Sequence, residues 1–182
     1  MEIPKLINHR QTPYIAAMLV IAGVTLRLLP HEANFAPVAA IALFGGAVLG
    51  TRYALGIPLV IMALSDWLIG FYAGMAYVWG AYAMIALYGI LLRRSHFSKR
   101  VIFGGLGATL LFYLVSNFGV WAIGYQYPPT LAGLLQSYYM ALPFVRASLL
   151  SDIMYSFVLF GSLELYAYIH SHRQAHKQVA RT

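Results

Sequence analysis

The stretch Ala36-Pro-Val-Ala-Ala-Ile-Ala-Leu-Phe-Gly-Gly-Ala-Val-Leu-Gly50 decides the architecture. It contains no charged residue and reads as a helix. At about 1.5 Å rise per residue its roughly 15 residues reach only about 22 Å. That is short of a hydrocarbon core of about 30 Å. Whether it crosses sets the side on which everything after it lies. If it crosses, Lys5, Arg10, Arg52, Arg93, Arg94, Lys99, Arg100, Arg173, Lys177 and Arg181 fall on one side, leaving only Arg27 and Arg146 on the other. If it does not, the basic segment 93–100 and the basic tail both move across, against the positive-inside bias. The charge pattern therefore predicts that 36–50 crosses as a short helix in a locally thinned or protein-lined setting.

The composition agrees with a membrane chain. Of 182 residues, 61 % are hydrophobic and 9 % charged, with a mean hydropathy of +0.72. A soluble domain carries about 25 % charged residues, so a soluble enzyme, a disordered chain and a fibrous protein are excluded. Continuous apolar runs point to helices, because barrel strands would alternate apolar and polar. The net charge of +7 is read as topological bias, with no nucleic-acid partner. There is no cysteine, so disulfides and thiolate sites are excluded. Residues 1–12 form a weakly basic flank, no small-residue cleavage site follows the first apolar run, and that run is read as a retained helix.

The predicted fold is all-α, a single domain over 1–182. It is a polytopic bundle of six transmembrane helices at about 13–29, 36–50, 53–71, 75–92, 101–123 and 143–170. Both termini are placed in the cytoplasm, and the expected location is the bacterial inner membrane. Residues 131–142 read as a separate short amphipathic helix on the outer surface, capped by Thr130 and ended by Pro143.

Polar residues concentrate in the outer half of this topology. A carboxylate inside a span costs about 2.5–3.5 kcal/mol on insertion scales, which makes Asp66 and Asp152 the sharpest signals. Arg27 and Arg146 are candidate counter-ions at similar depth. Structural pairing, ligand contact and proton coupling all remain open for these groups. His31, Asn34 and Asn117 add hydrogen-bonding groups, and Trp67 and Trp121 add stacking surface, to a candidate outward pocket. Ala42, Gly46 and Gly50 recur every four residues and form a small-residue face for close helix packing or a partner subunit. No nucleotide-binding loop, Gly-x-Ser-x-Gly or His-Glu-x-x-His motif occurs. No enzyme activity, metal or cofactor is therefore expected.

The run Arg27-Leu-Leu-Pro-His-Glu-Ala-Asn-Phe-Ala-Pro-Val-Ala-Ala-Ile-Ala-Leu-Phe-Gly-Gly46 resembles the signature of a small bacterial membrane family of unknown function. Leu64-Ser65-Asp66, the segment Ser116-Asn117-Phe118-Gly119-Val120-Trp121 and Pro143-Phe144 with Asp152 fit the same family. In architecture the chain resembles the substrate-binding S components of energy-coupling-factor transporters. That resemblance implies capture of a vitamin-like micronutrient at the outer face. It also implies a transmembrane coupling subunit with ATPases on the cytoplasmic side. The alternatives are an accessory subunit without ligand and a small proton-coupled carrier. An outward cavity of about 300 Å³ or more with unpaired polar groups favours capture. A closed bundle with both aspartates fully paired favours the accessory role.

Overall fold

The computed structural model describes residues 10–179, with side chains through His172. Lys5 and Arg181 lie outside the described residues, as do the side chains of Arg173 and Lys177. The described chain forms α1 (Thr12–Leu28), α2 (Val38–Phe44, continued by a π-turn at Gly45–Leu49), α3 (Thr51–Ile69), α4 (Met75–Leu91), α5 (Phe97–Ile123) and α6 (Leu131–Val179). A 3-10 turn, Leu92–Arg94, follows α4. Four of these helices are long and apolar enough to cross a membrane: α3, α4 with its following turn, α5, and α6 through His172. Thr12–Leu28 and Val38–Leu49 are shorter apolar helices.

Helix α2 is the hub. Every residue from Val38 to Val48 is buried, and α2 touches each of the other five helices. Such a helix has no lipid-facing stripe, which explains why its sequence is apolar all round. Its closest neighbour is α4. A Cβ on Gly46 would overlap the Ala86 carbonyl oxygen, and one on Gly89 would overlap the Leu43 carbonyl oxygen. Each backbone thus fits where the other lacks a side chain. Ala42 is fully buried beside this crossing. Gly50 has open space around it and a φ of +89°, so it serves the sharp turn into α3 and not the packing face.

The bundle exterior is apolar. Val60, Leu64 and Leu68 of α3, Phe103, Leu106 and Leu110 of α5, and Leu150, Phe157 and Val158 of α6 are all exposed. The interior carries the polar groups instead, including Asp66, Asp152 and five serines.

Two sequence expectations are corrected. Residues 131–142 are not a separate helix, because α6 runs unbroken through Pro143 for 49 residues. Proline removes one amide donor and crowds the preceding turn. Here packing holds both flanks: before the proline the Tyr113 hydroxyl donates to the Tyr138 carbonyl at 2.7 Å and Ser137 and Ala141 are buried, and after it Ser148 and Ser151 are buried. The basic segment 93–100 is not all loop either, because α5 begins at Phe97. Arg100, read as a surface charge, is 4 % exposed. Its Nε donates to the Leu92 carbonyl at 3.3 Å and its Nη2 to the Arg93 carbonyl at 3.0 Å. Its Nη1 lies 3.8 Å from Glu164, and its guanidinium sits 5.9 Å from the Phe160 ring centroid. It satisfies carbonyls at the end of α4 while pinning α5 to α6.

The Gly46 crossing predicts a contrast. Gly46→Ala forces a methyl group against a backbone carbonyl and is expected to cost about 1–3 kcal/mol. Gly56→Ala and Gly80→Ala meet open space and should be neutral or stabilising by up to about 1 kcal/mol. Thermal melting of the three variants in one detergent measures the difference. Equal melting temperatures would remove the crossing as the organising contact.

Candidate functional site

Two polar constellations lie toward the end of the bundle where α1, α3 and α5 finish. The first is an ion-pair cluster. Asp66 is fully buried near the end of α3. Its Oδ1 lies 2.6 Å from Arg27 Nη1, arriving from the last turn of α1. This contact is an ion pair without hydrogen-bond alignment, since the same Nη1 donates to the Ser65 hydroxyl. Ser65 in turn donates to the Ile61 carbonyl at 2.6 Å. Trp79 Nε1 of α4 donates to Asp66 Oδ2 at 2.7 Å. The cluster joins three helices and leaves the carboxylate no free oxygen. On the adjoining 70–74 loop, burial raises the Tyr72 phenol pKa, and Asp66 adds to the rise while Arg27 opposes it.

The second constellation is a cavity of about 230 Å³. Helix α2 with its π-turn spans only about 18 Å, so it does not fill the axis of a bundle whose neighbours are longer. Its first residues start deep. Ser151, twenty residues into α6, donates to the Ala36 carbonyl at 3.1 Å. The non-helical segment between α1 and α2 descends to that level, and the cavity opens beside it. Polar walls come from Asn34, Ser116, Asn117 and Ser148, and aromatic walls from Phe112, Tyr113 and Phe144. Asn34 holds a left-handed backbone, φ +62°, a conformation asparagine tolerates better than most residues.

One helical turn deeper lies Asp152, 4 % exposed. The Thr109 hydroxyl donates to its Oδ2 at 2.7 Å. No ion pair reaches Asp152 among the described residues. Ser148, Ser151 and Ser156 are buried on the same side of α6, and the Ser156 hydroxyl has no partner.

The residues singled out from sequence therefore divide. Asn34 and Asn117 line the cavity, and Asp152 lies beneath it. Arg27 and Asp66 pair with each other. Arg146 is exposed and joins no ion pair among the described residues, so it is not a counter-ion to either aspartate. Trp67 is 70 % exposed and faces outward. Trp121 Nε1 donates to the Pro128 and Thr130 carbonyls, both at 3.1 Å, and fastens the α5–α6 connection. The exposed His31 ring nitrogens lie 2.9 Å from the Glu32 carbonyl and 3.2 Å from the Arg27 carbonyl, closing the end of α1. Phe112 and Ser148 escaped the sequence reading, and Ser116 entered it only as part of the family motif. Serines and phenylalanines are common in apolar helices, and only their spacing by three or four on facing helices could have signalled a shared wall.

A second cavity, about 510 Å³, opens on the perimeter between α1 and α6, with Tyr14, Met18, Phe44, Leu163 and Tyr166 among its walls. Its only polar walls are Gln11 and Ser162, and Ser162 donates to its own helix at the Leu159 carbonyl.

An apolar exterior, buried carboxylates within a largely apolar core and four helices of spanning length mark the described residues as an all-helical integral membrane protein. The chain belongs to DUF6580, a family of unknown function whose profile matches residues 7–176. No curated protein and no solved structure matches it.

Removing one partner of a buried pair strands the other charge. Arg27→Gln should therefore destabilise the protein by about 3–5 kcal/mol. Arg146→Gln, at an exposed position, should stay within about 0.5 kcal/mol. Comparable losses in denaturation of the two purified variants would show that Arg146 shares the structural role.

Proposed function

We propose that the protein is a six-crossing substrate-capture subunit of the bacterial cytoplasmic membrane, with both termini inside. In this reading the ends of α1, α3 and α5 face outward. The cavity receives a small molecule from that side, and a coupling subunit with ATPases serves the cytoplasmic face, as in the S components the chain resembles. The observation that carries the reading is the 230 Å³ cavity itself. It combines aromatic walls with polar side chains that the fold leaves incompletely partnered, the usual make-up of a small-molecule site. Its volume falls short of the volume of about 300 Å³ expected of a capture site and of the roughly 300–1,000 Å³ typical of drug-sized ligands, so in this reading the substrate is smaller than the vitamin-like molecule the resemblance implies. Six crossings are compatible with a short α2, because that helix is enclosed by protein and need not match the lipid thickness.

One observation favours an accessory role instead. The Arg27–Asp66–Trp79 cluster is charge-paired within the protein, which suits a scaffold that needs no ligand.

Filling the cavity separates the two. Small molecules released from the detergent-solubilised protein should appear by mass spectrometry with the wild type and Arg146→Gln, and be depleted at least about tenfold with Ser148→Phe, as expected when a well-packed site is lost. An identical small-molecule content in all three supports the accessory role. Topology is tested independently. In the cysteine-free background, a cysteine at Thr130 should react with an impermeant reagent in intact cells and one at Ser95 should not. The reverse pattern overturns the orientation.

A further inference from the structure

Taking the cavity as a capture site, we propose that its ligand is a small organic ammonium ion, a cationic N–H donor oriented by Asp152. The reasoning begins with the acids, of which the chain has five. Asp66 is held by Arg27, and Glu164 faces Arg100. Glu32 is exposed, and Glu2 lies outside the described residues. Asp152 alone among the described acids is both buried and without a cation. A buried carboxylate is stabilised by a positive partner, and no described residue supplies one. Arg27 is committed to Asp66, Arg100 lies at the opposite end with Glu164, and Arg146 is exposed.

The position of Asp152 directs that vacancy of charge toward the cavity. It follows the cavity wall residue Ser148 by four on α6. Its partner Thr109 precedes the wall residues Phe112 and Tyr113 by three and four on α5. On both helices the step is one turn, about 5 Å. The Asp152–Thr109 pair is thus set just beneath the floor.

The cavity walls point to the same chemistry. The Ser116 hydroxyl donates to the Phe112 carbonyl at 2.6 Å, and Asn117 Nδ2 donates to the Tyr113 carbonyl at 2.8 Å. The Tyr113 hydroxyl donates to the Tyr138 carbonyl. Ser116 and Tyr113 have thereby spent their only hydrogen and Asn117 one of its two, so Asn117 Oδ1 and the Ser116 and Tyr113 oxygens retain accepting capacity against a single Asn117 N–H left to donate. A ligand that donates hydrogen bonds complements them, and a carboxylate or phosphate does not. Aromatic faces from Phe112, Tyr113 and Phe144 add attraction for a cation.

Three compounds with one branched carbon skeleton test the proposal: isopropylammonium, 2-propanol and isobutyrate. Each is titrated calorimetrically at neutral pH into the full-length protein in nanodiscs. Isopropylammonium should bind at least about tenfold tighter than 2-propanol, the size of effect a charged hydrogen bond supplies, and isobutyrate should bind weakest. In Asp152→Asn, which keeps an acceptor for Thr109, the ammonium preference should collapse. The proposal is overturned if isobutyrate binds as well as the amine, or if a folded Asp152→Asn keeps the preference. The wild-type ranking decides even if that variant fails to fold. Equal binding of isopropylammonium and 2-propanol rejects the ammonium assignment but leaves the capture reading standing. Absence of binding by all three, with the small-molecule content of Ser148→Phe unchanged, rejects both.

Discussion

The close approach of α2 and α4 is the contact on which the remaining architecture depends. Two glycines on two different helices, Gly46 and Gly89, each receive the other helix's backbone carbonyl. In lipid there is no hydrophobic drive to bring helices together, so close van der Waals contact between small residues carries association. Once α2 sits against α4, α1, α3, α5 and α6 can enclose it, and its length then becomes consequential. Its α-helical and π segments hold 7 and 5 residues, against 17 to 49 in the helices around it. The shortfall leaves a space on the axis where side chains from α5 and α6 face one another across a gap. The cavity is thus a geometric result of a central helix too short to fill its enclosure.

The ends of the bundle are fastened by two arginines acting in different ways. Arg27 reaches a buried carboxylate and joins α1, α3 and α4. Arg100 spends its donors mainly on the carbonyls that end α4, with Glu164 at a longer 3.8 Å. The first is a pair whose parts are each costly alone, and the second is closer to a helix cap with a charged neighbour. Together they explain why a chain with so few charges places several inside. At those points the charges hold helix ends in register, a task that apolar packing in lipid does poorly.

How much of this could be read from sequence depends on the kind of information each feature carries. Apolar run lengths gave the helices, and the four-residue spacing of Ala42 and Gly46 gave a packing face. Gly50 shares that spacing but serves a turn, because spacing cannot distinguish a glycine needed for proximity from one needed for positive φ. Pro143 read as a helix end because a local rule was applied where tertiary contacts from Tyr113 and the buried α6 face prevailed. Asp66 and Asp152 were legible as costly residues, but their different situations were not. Pairing depends on which arginine a distant helix delivers, and Arg146, close to Asp152 in sequence, points away from it. Arg100 was hidden among the neighbouring basic residues Arg93, Arg94 and Lys99, from which only burial separates it.

The buried face of α6 connects these observations. Ser148, Asp152, Ser156 and Phe160 recur every four residues and therefore lie along one side of the helix. The first lines the cavity, the second is the unpaired carboxylate, the third has an unsatisfied hydroxyl and the fourth is a fully buried ring. The polar residues thus run for two turns below the cavity wall, with the carboxylate in the middle, and end at a buried aromatic ring. Phe160 packs on Phe44 with ring centroids 5.2 Å apart, and the Arg100 guanidinium lies over the Phe160 ring, 5.9 Å from its centroid. A molecule drawn toward Asp152 meets favourable groups for two turns and then a closed aromatic pair backed by positive charge. Onward passage requires Phe44 and Phe160 to separate, and Phe44 belongs to α2, the helix that every other helix touches. The aromatic contact that ends this face of α6 is thus tied to the hub itself.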